Sequence, residues 1–307
     1  MLLCASVAFA QDYPVKPIRL ITSEPGGGND FGARLVAQGI SGPLGQRVIV
    51  ENRGGGSGAI TGEMLARSKP DGYTLLMFGQ GIWLLPFLRK NVPYDPIRDF
   101  ATVSLTDRSP NVLVVHPSLP VKSVRELIAL AKARPGELDY ARAAVGGPPH
   151  LSAELFKSMT GVSIVSVPYR GGGPAVLGVL GGEVGLMFAT AASISVHVKS
   201  GKVKALAVTS AQPSALFPGL PTIGATVTGF ESVATTGIFA PAGTPPAIVK
   251  RVSDEVARFL AKPETKEKFM TAGVETVGST PEEYSAMLKR EMAKWSRVIR
   301  EAGIQEE

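Results

Sequence analysis

The chain has one cysteine, Cys4, in 307 residues, which excludes a disulfide framework and makes thiol chemistry an unpromising reading. It has three histidines, and no H-E-x-x-H, cysteine-ligand or EF-hand spacing accompanies them, so no metal site is expected. His116 lies between a strand end and Pro117, and His197 falls in an apolar helical stretch; both read as packed or surface residues. No G-x-S-x-G offers a nucleophile, and no Walker A or G-x-G-x-x-G pattern offers a nucleotide cradle. A net charge of +6 raises the question of nucleic acid, but the basic residues are scattered and not interleaved with aromatics, so none is expected as a partner. The uncharged run Val184–Val198 is shorter than the ~18 residues a membrane span requires, and it contains His197 and several hydroxyls. No cofactor is called for. The chain reads as a binder.

Residues 1–10 are uncharged and end in Ala8-Phe9-Ala10, the A-x-A arrangement that signal peptidase cuts. The basic n-region is missing, so these residues read as a clipped or misassigned residual signal peptide. Leu3 stands where a lipoprotein site wants a small residue before Cys4, which argues against lipidation. Cleavage after Ala10 leaves a mature chain without cysteine, and the expectation is an exported, periplasmic protein.

What the chain has in abundance is glycine, 35 residues, alongside 24 prolines. Pro25-Gly26-Gly27-Gly28-Asn29-Asp30 follows an apolar run, Ile18–Thr22, and precedes a helical pattern over Phe31–Ile40. A strand that turns through glycines into a helix points several backbone N–H groups at one spot, and the helix dipole adds partial positive charge there. Glycine also lets the backbone approach a ligand, because no Cβ intrudes. Gly54-Gly55-Gly56 and Gly171-Gly172-Gly173 sit in the same context, so a shared anion site competes with the plainer reading of three tight turns.

Apolar runs alternate with helical patterns almost from end to end, which predicts α/β architecture with largely parallel sheets. Strands are expected at Ile18–Thr22, Arg47–Glu51, Thr74–Phe78, Val112–Val115, Asp139–Ala141, Ile164–Val167, Val184–Phe188, Val203–Thr209 and Thr236–Phe239. Helices are expected at Phe31–Ile40, Ala59–Ser68, Val124–Ala133, Leu151–Met159, Pro174–Leu180, Pro245–Leu260 and Pro281–Ala302. Ser123 with Glu126, and Thr280 with Glu283, fit capping boxes; Thr244 before Pro245 fits an N-cap. Asp30 and Arg34 stand one helical turn apart and can pair on the surface. Met287, Leu288, Met292, Trp295 and Ile299 form a core stripe expected to pack on the first lobe.

Asn52-Arg53, Asp71-Gly72-Tyr73-Thr74-Leu75-Leu76, Pro93-Tyr94-Asp95-Pro96, Val167-Pro168-Tyr169-Arg170-Gly171-Gly172-Gly173-Pro174-Ala175 and Phe239-Ala240-Pro241-Ala242-Gly243-Thr244-Pro245 occur in order along the chain. Together they resemble the tripartite tricarboxylate transporter solute receptors, the Bug family of periplasmic binding proteins, from about Tyr13 to Gly303. The resemblance implies a two-lobe type II periplasmic-binding-protein fold with the ligand cleft between lobes. Joined to soft breaks at Ser109-Pro110 and Gly229–Thr235, it predicts residues 12–109 plus 233–307 as one lobe and an inserted lobe over 110–232. It also implies a small organic acid as ligand, held by backbone N–H groups and bridging waters, and a membrane permease as partner of a monomeric receptor.

The site residues expected on these grounds are Ser23, Glu24, Gly27, Gly28, Asn29 and Asp30 in the first turn, and Gly79 and Gln80 after the third strand. In the second lobe they are Gly146, Gly147 and His150; Tyr169, Arg170, Gly171, Gly172 and Gly173; and Ala189 with Thr190. Three positions depart from the family pattern. Glu24 sets a carboxylate beside the expected anion site; it either meets a ligand cation or faces solvent. Gly147, Pro148 and Pro149 stand where a hydroxyl residue usually precedes the histidine, and Ala189 stands where an aspartate is usual. A periplasmic sensor component is the alternative role for the same binder. A cleft enzyme using His150 and Glu24 as acid and base is a third reading, which lacks a nucleophile or electrophile to complete it.

Overall fold

The structure is a computed structural model that describes residues 13–53 and 58–305. The chain begins with β1 (Ile18–Thr22), α1 (Gly28–Leu44), β2 (Val48–Asn52), α2 (Ala59–Ala66), β3 (Thr74–Gly79) and α3 (Gly81–Leu88). The long strand β4 (Phe100–Val115) and helix α4 (Val124–Ala133) lead to a second run of the same kind. That run is β5 (Asp139–Arg142), α5 (Pro148–Thr160), β6 (Val165–Pro168), α6 (Gly172–Leu180), β7 (Leu186–Thr190) and α7 (Ala191–Lys199). The chain closes with β8 (Lys204–Val208), β9 (Val233–Pro241), α8 (Pro246–Ala261), α9 (Pro263–Thr271), β10 (Glu275–Thr276) and α10 (Pro281–Glu301).

The two runs are built alike. β1 pairs in parallel with β2 and β3, and β5 pairs in parallel with β6 and β7. In each run the third strand meets a long strand antiparallel: β3 meets β9, and β7 meets β4. β4 serves both halves. Its residues Phe100–Pro110 pair with β9, and Asn111–Val115 pair with β7 and β8. The sheets are therefore mixed rather than largely parallel, because the crossing strands run against the βαβ units.

The expected strands are present, but two are longer. β4 begins at Phe100 and β9 at Val233, where Asp107, Arg108, Ser109 and Pro110 interrupt the apolar pattern that marks a strand. Helices α3 and α9 were not expected, and α7 gives the helical stretch around His197 its bounds. α3 contains Pro86 within an almost wholly apolar segment, and α9 is too charged to show an apolar face. Thr244 does not cap α8: its hydroxyl donates to Pro241 O at 2.7 Å, and Pro245 holds the cap position. Thr280 and Glu283 form the complete capping box of α10, whereas Glu126 accepts from Lys122 N instead of the cap residue.

Apolar burial is the main favourable term, at about 25 cal/mol per Å². One cluster packs α1 and α8 on the first sheet, through residues such as Val36, Ile40, Val252 and Val256. A larger one runs under both halves, from Ile21 and Leu76 through Trp295 to Tyr140 and Phe156. Leu288, Trp295 and Ile299 of α10 are buried in it. α10 lies against α3 and β4 and also reaches α5.

Candidate functional site

Parallel strands deliver their C-terminal ends, and the turns that follow them, to one edge of a sheet. Here those turns are the expected site segments. β1 ends in Ser23–Gly27 before α1, β3 in Gly79 and Gln80 before α3, and β5 in Gly146 and Gly147 before α5. β6 leads through Tyr169–Gly171 into α6, and β7 into Thr190 and α7. The turn after β2 contains the triplet Gly54–Gly56, which lies outside the described residues.

The first turn is fixed from within. Gly26 takes φ 84, a left-handed conformation that favours glycine. Its N–H donates to Asp30 Oδ2 at 2.9 Å, while Asn52 Nδ2 donates to Asp30 Oδ1 and to Ser23 O, both at 2.8 Å. Arg34 Nε lies 3.0 Å from Asp30 Oδ1, so the expected pair exists, but with a buried carboxylate rather than on the surface. Burial pushes the Asp30 carboxyl up, and the bonds from Gly26, Asn52 and Arg34 outweigh it, holding the group below the usual carboxylate range. Asp30 is thus the brace of the turn. Gly27 caps α1 without any side-chain acceptor, which leaves the N–H groups of Gly28, Asn29 and Asp30 to outside partners. Glu24 is exposed at the tip.

The α5 turn repeats the brace with other chemistry. Gly146 takes φ 67, and its N–H donates to His150 Nδ1 at 3.0 Å. His150 is buried, and burial depresses its pKa to about 4, against the pull of Glu154. A neutral ring that accepts at Nδ1 carries its proton on Nε2, which lies 3.9 Å from Glu154 Oε1. That occupation of Nδ1 removes the free base that the cleft-enzyme reading needs. Pro148 and Pro149 supply no N–H, so this helix start offers fewer free backbone donors than the start of α1. A Cβ on Gly146 would meet Leu88 Cδ1 of α3 at 2.6 Å, so the turn sits directly against the first half of the molecule.

At α6, Gly171 is an uncapped N-cap, and Gly172 and Gly173 are exposed with open space where a Cβ would project. Arg170 is exposed; Tyr169 is half-buried, with its hydroxyl donating to Glu183 Oε2 at 3.2 Å. Thr190 caps α7 by accepting from Ser193 N. Ala189 is sealed in the apolar cluster of the second half and its side chain faces core, not solvent. Among the described residues, no hydrogen bond joins the Gly27–Asp30 turn to the Gly171–Gly173 turn.

Gly79 touches the first turn: a Cβ there would stand 3.4 Å from Asn29 Oδ1 and 3.7 Å from Thr235 O. Gln80 and Thr235 are buried, and Gln80 Oε1 and Thr235 Oγ1 have no hydrogen-bond partner among the described residues. Asp107 of β4 is likewise buried, and burial lifts its carboxyl to about 6. Asp107, Thr235 and Thr236 escaped the sequence reading. A strand interrupted by an acid was their one available signal.

Among the described residues no helix is long and apolar enough to cross a membrane, and no cluster of three or more His, Cys, Asp or Glu side chains could hold a metal ion. Comparison with known proteins gives a consistent picture. BugT of Bordetella pertussis is 37% identical over 309 residues, covering 97% of this chain and 93% of that protein. An R. palustris protein solved with adipate is 37% identical, with a TM-score of 0.77 over 96% of this chain and 99% of that one. A Polaromonas TctC solute-binding protein solved without ligand is 28% identical, with a TM-score of 0.86 over 94% and 99% of the two chains. The two-lobe fold of periplasmic solute-binding proteins is therefore this chain's fold. The glycine turns at the strand ends, the shared β4 and β9, and a family model matching residues 32–304 agree: the chain belongs to the tripartite tricarboxylate transporter family receptors.

Proposed function

We propose that this protein is a periplasmic receptor that binds one small carboxylate-bearing molecule between two lobes and hands it, as a monomer, to a membrane permease. The lobes are residues 12–109 plus 233–307, and 110–232; the change of partner along β4, from β9 up to Pro110 to β7 from Asn111, supports that division. The observation that carries the reading is that β1 and β6 both turn into their helices through exposed glycines. Gly27 and Gly171 offer no side-chain acceptor to α1 and α6, a trait shared with α2, α3, α5, α8 and α9, but neither is followed by the N–H-lacking proline that opens α5, α8 and α9. Free N–H groups at a helix start favour an anion, and neutral donors bind it with little desolvation of protein charge.

The ligand site in this reading comprises Gly27–Asp30, Gly79 and Gln80 on one side, and Arg170–Gly173 with Thr190 on the other. The relatives support a hinge as well. The adipate-bound protein is nearer in sequence yet farther in shape than the ligand-free one, which is what a rotation between lobes produces. A thermal-shift screen against mono- and dicarboxylates, aromatic acids and amino acids tests the proposal. A ligand at about a hundred times its Kd stabilises by about 2.7 kcal/mol. Small-angle scattering on the best binder should show a reduced radius of gyration. No stabilisation by any carboxylate would count against the function, and an unchanged radius at saturation would count against closure.

A further inference from the structure

Asp107 has no described role in the fold that requires its charge. The ladder places it opposite Thr236, which is itself opposite Gly79, so the three share the sheet face that α1 covers. A Cβ on Gly32 of α1 would lie 3.9 Å from Asp107 Oδ2. The residue is 6% exposed, and what exposure it has is toward a cavity of about 210 Å³. Gly28, Asn29, Phe31, Thr236 and Phe269 line the same cavity.

Among the described residues no cation pairs with this carboxylate. The Thr106 hydroxyl donates to Oδ2 at 2.9 Å but has Thr236 O as a second acceptor at 2.9 Å, and one proton cannot serve both at once. The charged neighbours are engaged elsewhere: Arg34 of α1 with Asp30 at 3.0 Å, and Arg108 with Glu275 at 3.2 Å. Tyr284 of α10 faces Asp107 as a buried neutral phenol, raised well above its usual range by burial and by the Asp107 charge. Burial alone lifts Asp107 to about 6, opposed only by the Thr106 and Thr236 hydroxyls. A buried carboxylate without a counter-ion is costly to the fold.

The walls say which cation would fit. Phe31 and Phe269 meet edge to face with centroids 6.0 Å apart at the cavity, and aromatic rings favour organic ammonium groups. A hard metal ion would want several more oxygens than one carboxylate and its hydroxyl neighbours. We propose that Asp107 and the cavity beside it form an ammonium-binding subsite, so that the receptor's ligand is an amino acid rather than a simple carboxylic acid. Because Gly28 and Asn29 line this cavity and also begin α1, the ligand's carboxylate at the helix start and its ammonium at Asp107 are neighbours. This inference rests on the receptor reading above.

Calorimetric titration of the full chain tests it with pairs that differ only in the amine: aspartate with succinate, glutamate with glutarate, norleucine with hexanoate. At about pH 7.5 the wild type should bind the amine-bearing member of at least one pair about tenfold or more tighter, and Asp107→Asn should abolish that preference while still binding the deaminated partner. A pH series on the wild type needs no variant: affinity for the amine member should fall as pH drops through about 6, where Asp107 takes a proton, and the deaminated member should not lose affinity with it. Wild-type preference for the deaminated acid in every pair, or equal loss of both members in Asp107→Asn, overturns the subsite and leaves the carboxylate receptor standing. Failure of every member of every pair to bind overturns the receptor reading, and the subsite falls with it.

Discussion

The backbone N–H of Gly146 donates to Nδ1 of His150 over 3.0 Å. In the first half of the molecule, Gly26 makes the same bond to Oδ2 of Asp30 over 2.9 Å. In both, a left-handed glycine precedes the helix start, and a side chain one turn into the helix reaches back to hold it. The two braces differ in charge. Asp30 is an anion held in that state by its partners, and His150 is a neutral ring held in that state by burial. They should therefore answer differently to acid.

His150 has a folded pKa of about 4 against an ordinary 6.5, so below the higher value the unfolded chain binds more protons than the folded one. Stability attributable to this residue is constant above about pH 6.5 and is lost as pH falls from there toward about 4. At about pH 5.5 the loss amounts to about 1 kcal/mol. His150→Asn keeps an acceptor near Gly146 but has no titration. Denaturant melts at neutral and mildly acid pH should show the wild type losing more stability than the variant. Parallel losses would mean that His150 is protonated in the fold.

Asp30→Ala should be a stability variant before it is a binding variant. It removes the acceptor of the Gly26 N–H and of one Asn52 amide N–H, two part-buried bonds worth about 1 kcal/mol each. The Arg34 pair adds little, because that guanidinium is largely exposed. A total cost of about 2–3 kcal/mol is expected by denaturant unfolding. In the wild type this contribution holds above the ordinary carboxylate range and fades as pH falls through the lowered folded pKa. A melting temperature within error of the wild type would show that the turn does not depend on its brace.

Much of this was legible in the sequence. β1 is apolar apart from the exposed Arg19 and β3 is an apolar run, and the glycine turns stood out because a left-handed residue at the end of a strand leaves few alternatives to glycine. The crossing strand was not legible over Phe100–Asn111. Asp107, Arg108, Ser109 and Pro110 read locally as a break, and only pairing with β9, whose Thr236 lies 130 residues from Thr106, makes them strand. The floor beside the first turn was legible only in part. Gly79 and Gln80 were expected there, but Asp107 and Thr235 are brought near them by sheet register, and register cannot be read from one segment at a time.

Thr235 provides a signed test of that floor. Its hydroxyl is buried with no hydrogen-bond partner among the described residues, so Thr235→Val removes a desolvated polar atom at constant shape. The ligand-free variant should be neutral or more stable by up to about 1 kcal/mol. Thr106→Val is the control, since that hydroxyl donates its one proton to either Asp107 or the Thr236 carbonyl, and it should lose about 1 kcal/mol or more. Thermal melts of both decide it. A destabilised Thr235→Val would reveal a partner for the hydroxyl, such as a buried water.

The manner in which the carboxylate is held separates backbone recognition from a charge clamp. Gly28 opens α1 with nothing within 4 Å of an added Cβ, and it is not among the glycines with positive φ. A side chain at Gly28 would not strain the turn; the left-handed position is Gly26. Gly28→Val should therefore fold with near-wild-type stability and still lose ligand, because its side chain projects into the space a carboxylate must enter to reach the helix N–H groups. Arg170 is exposed, and the space around Gly171–Gly173 is open. Arg170→Ala should cost about 1–2 kcal/mol of binding, the scale of one hydrogen bond. Removing a buried guanidinium clamp would cost about 2–5 kcal/mol. Calorimetry on both variants, with the best ligand from the screen, compares the two accounts directly. Tight binding by Gly28→Val together with none by Arg170→Ala would transfer the carboxylate from the backbone of α1 to the Arg170 side chain.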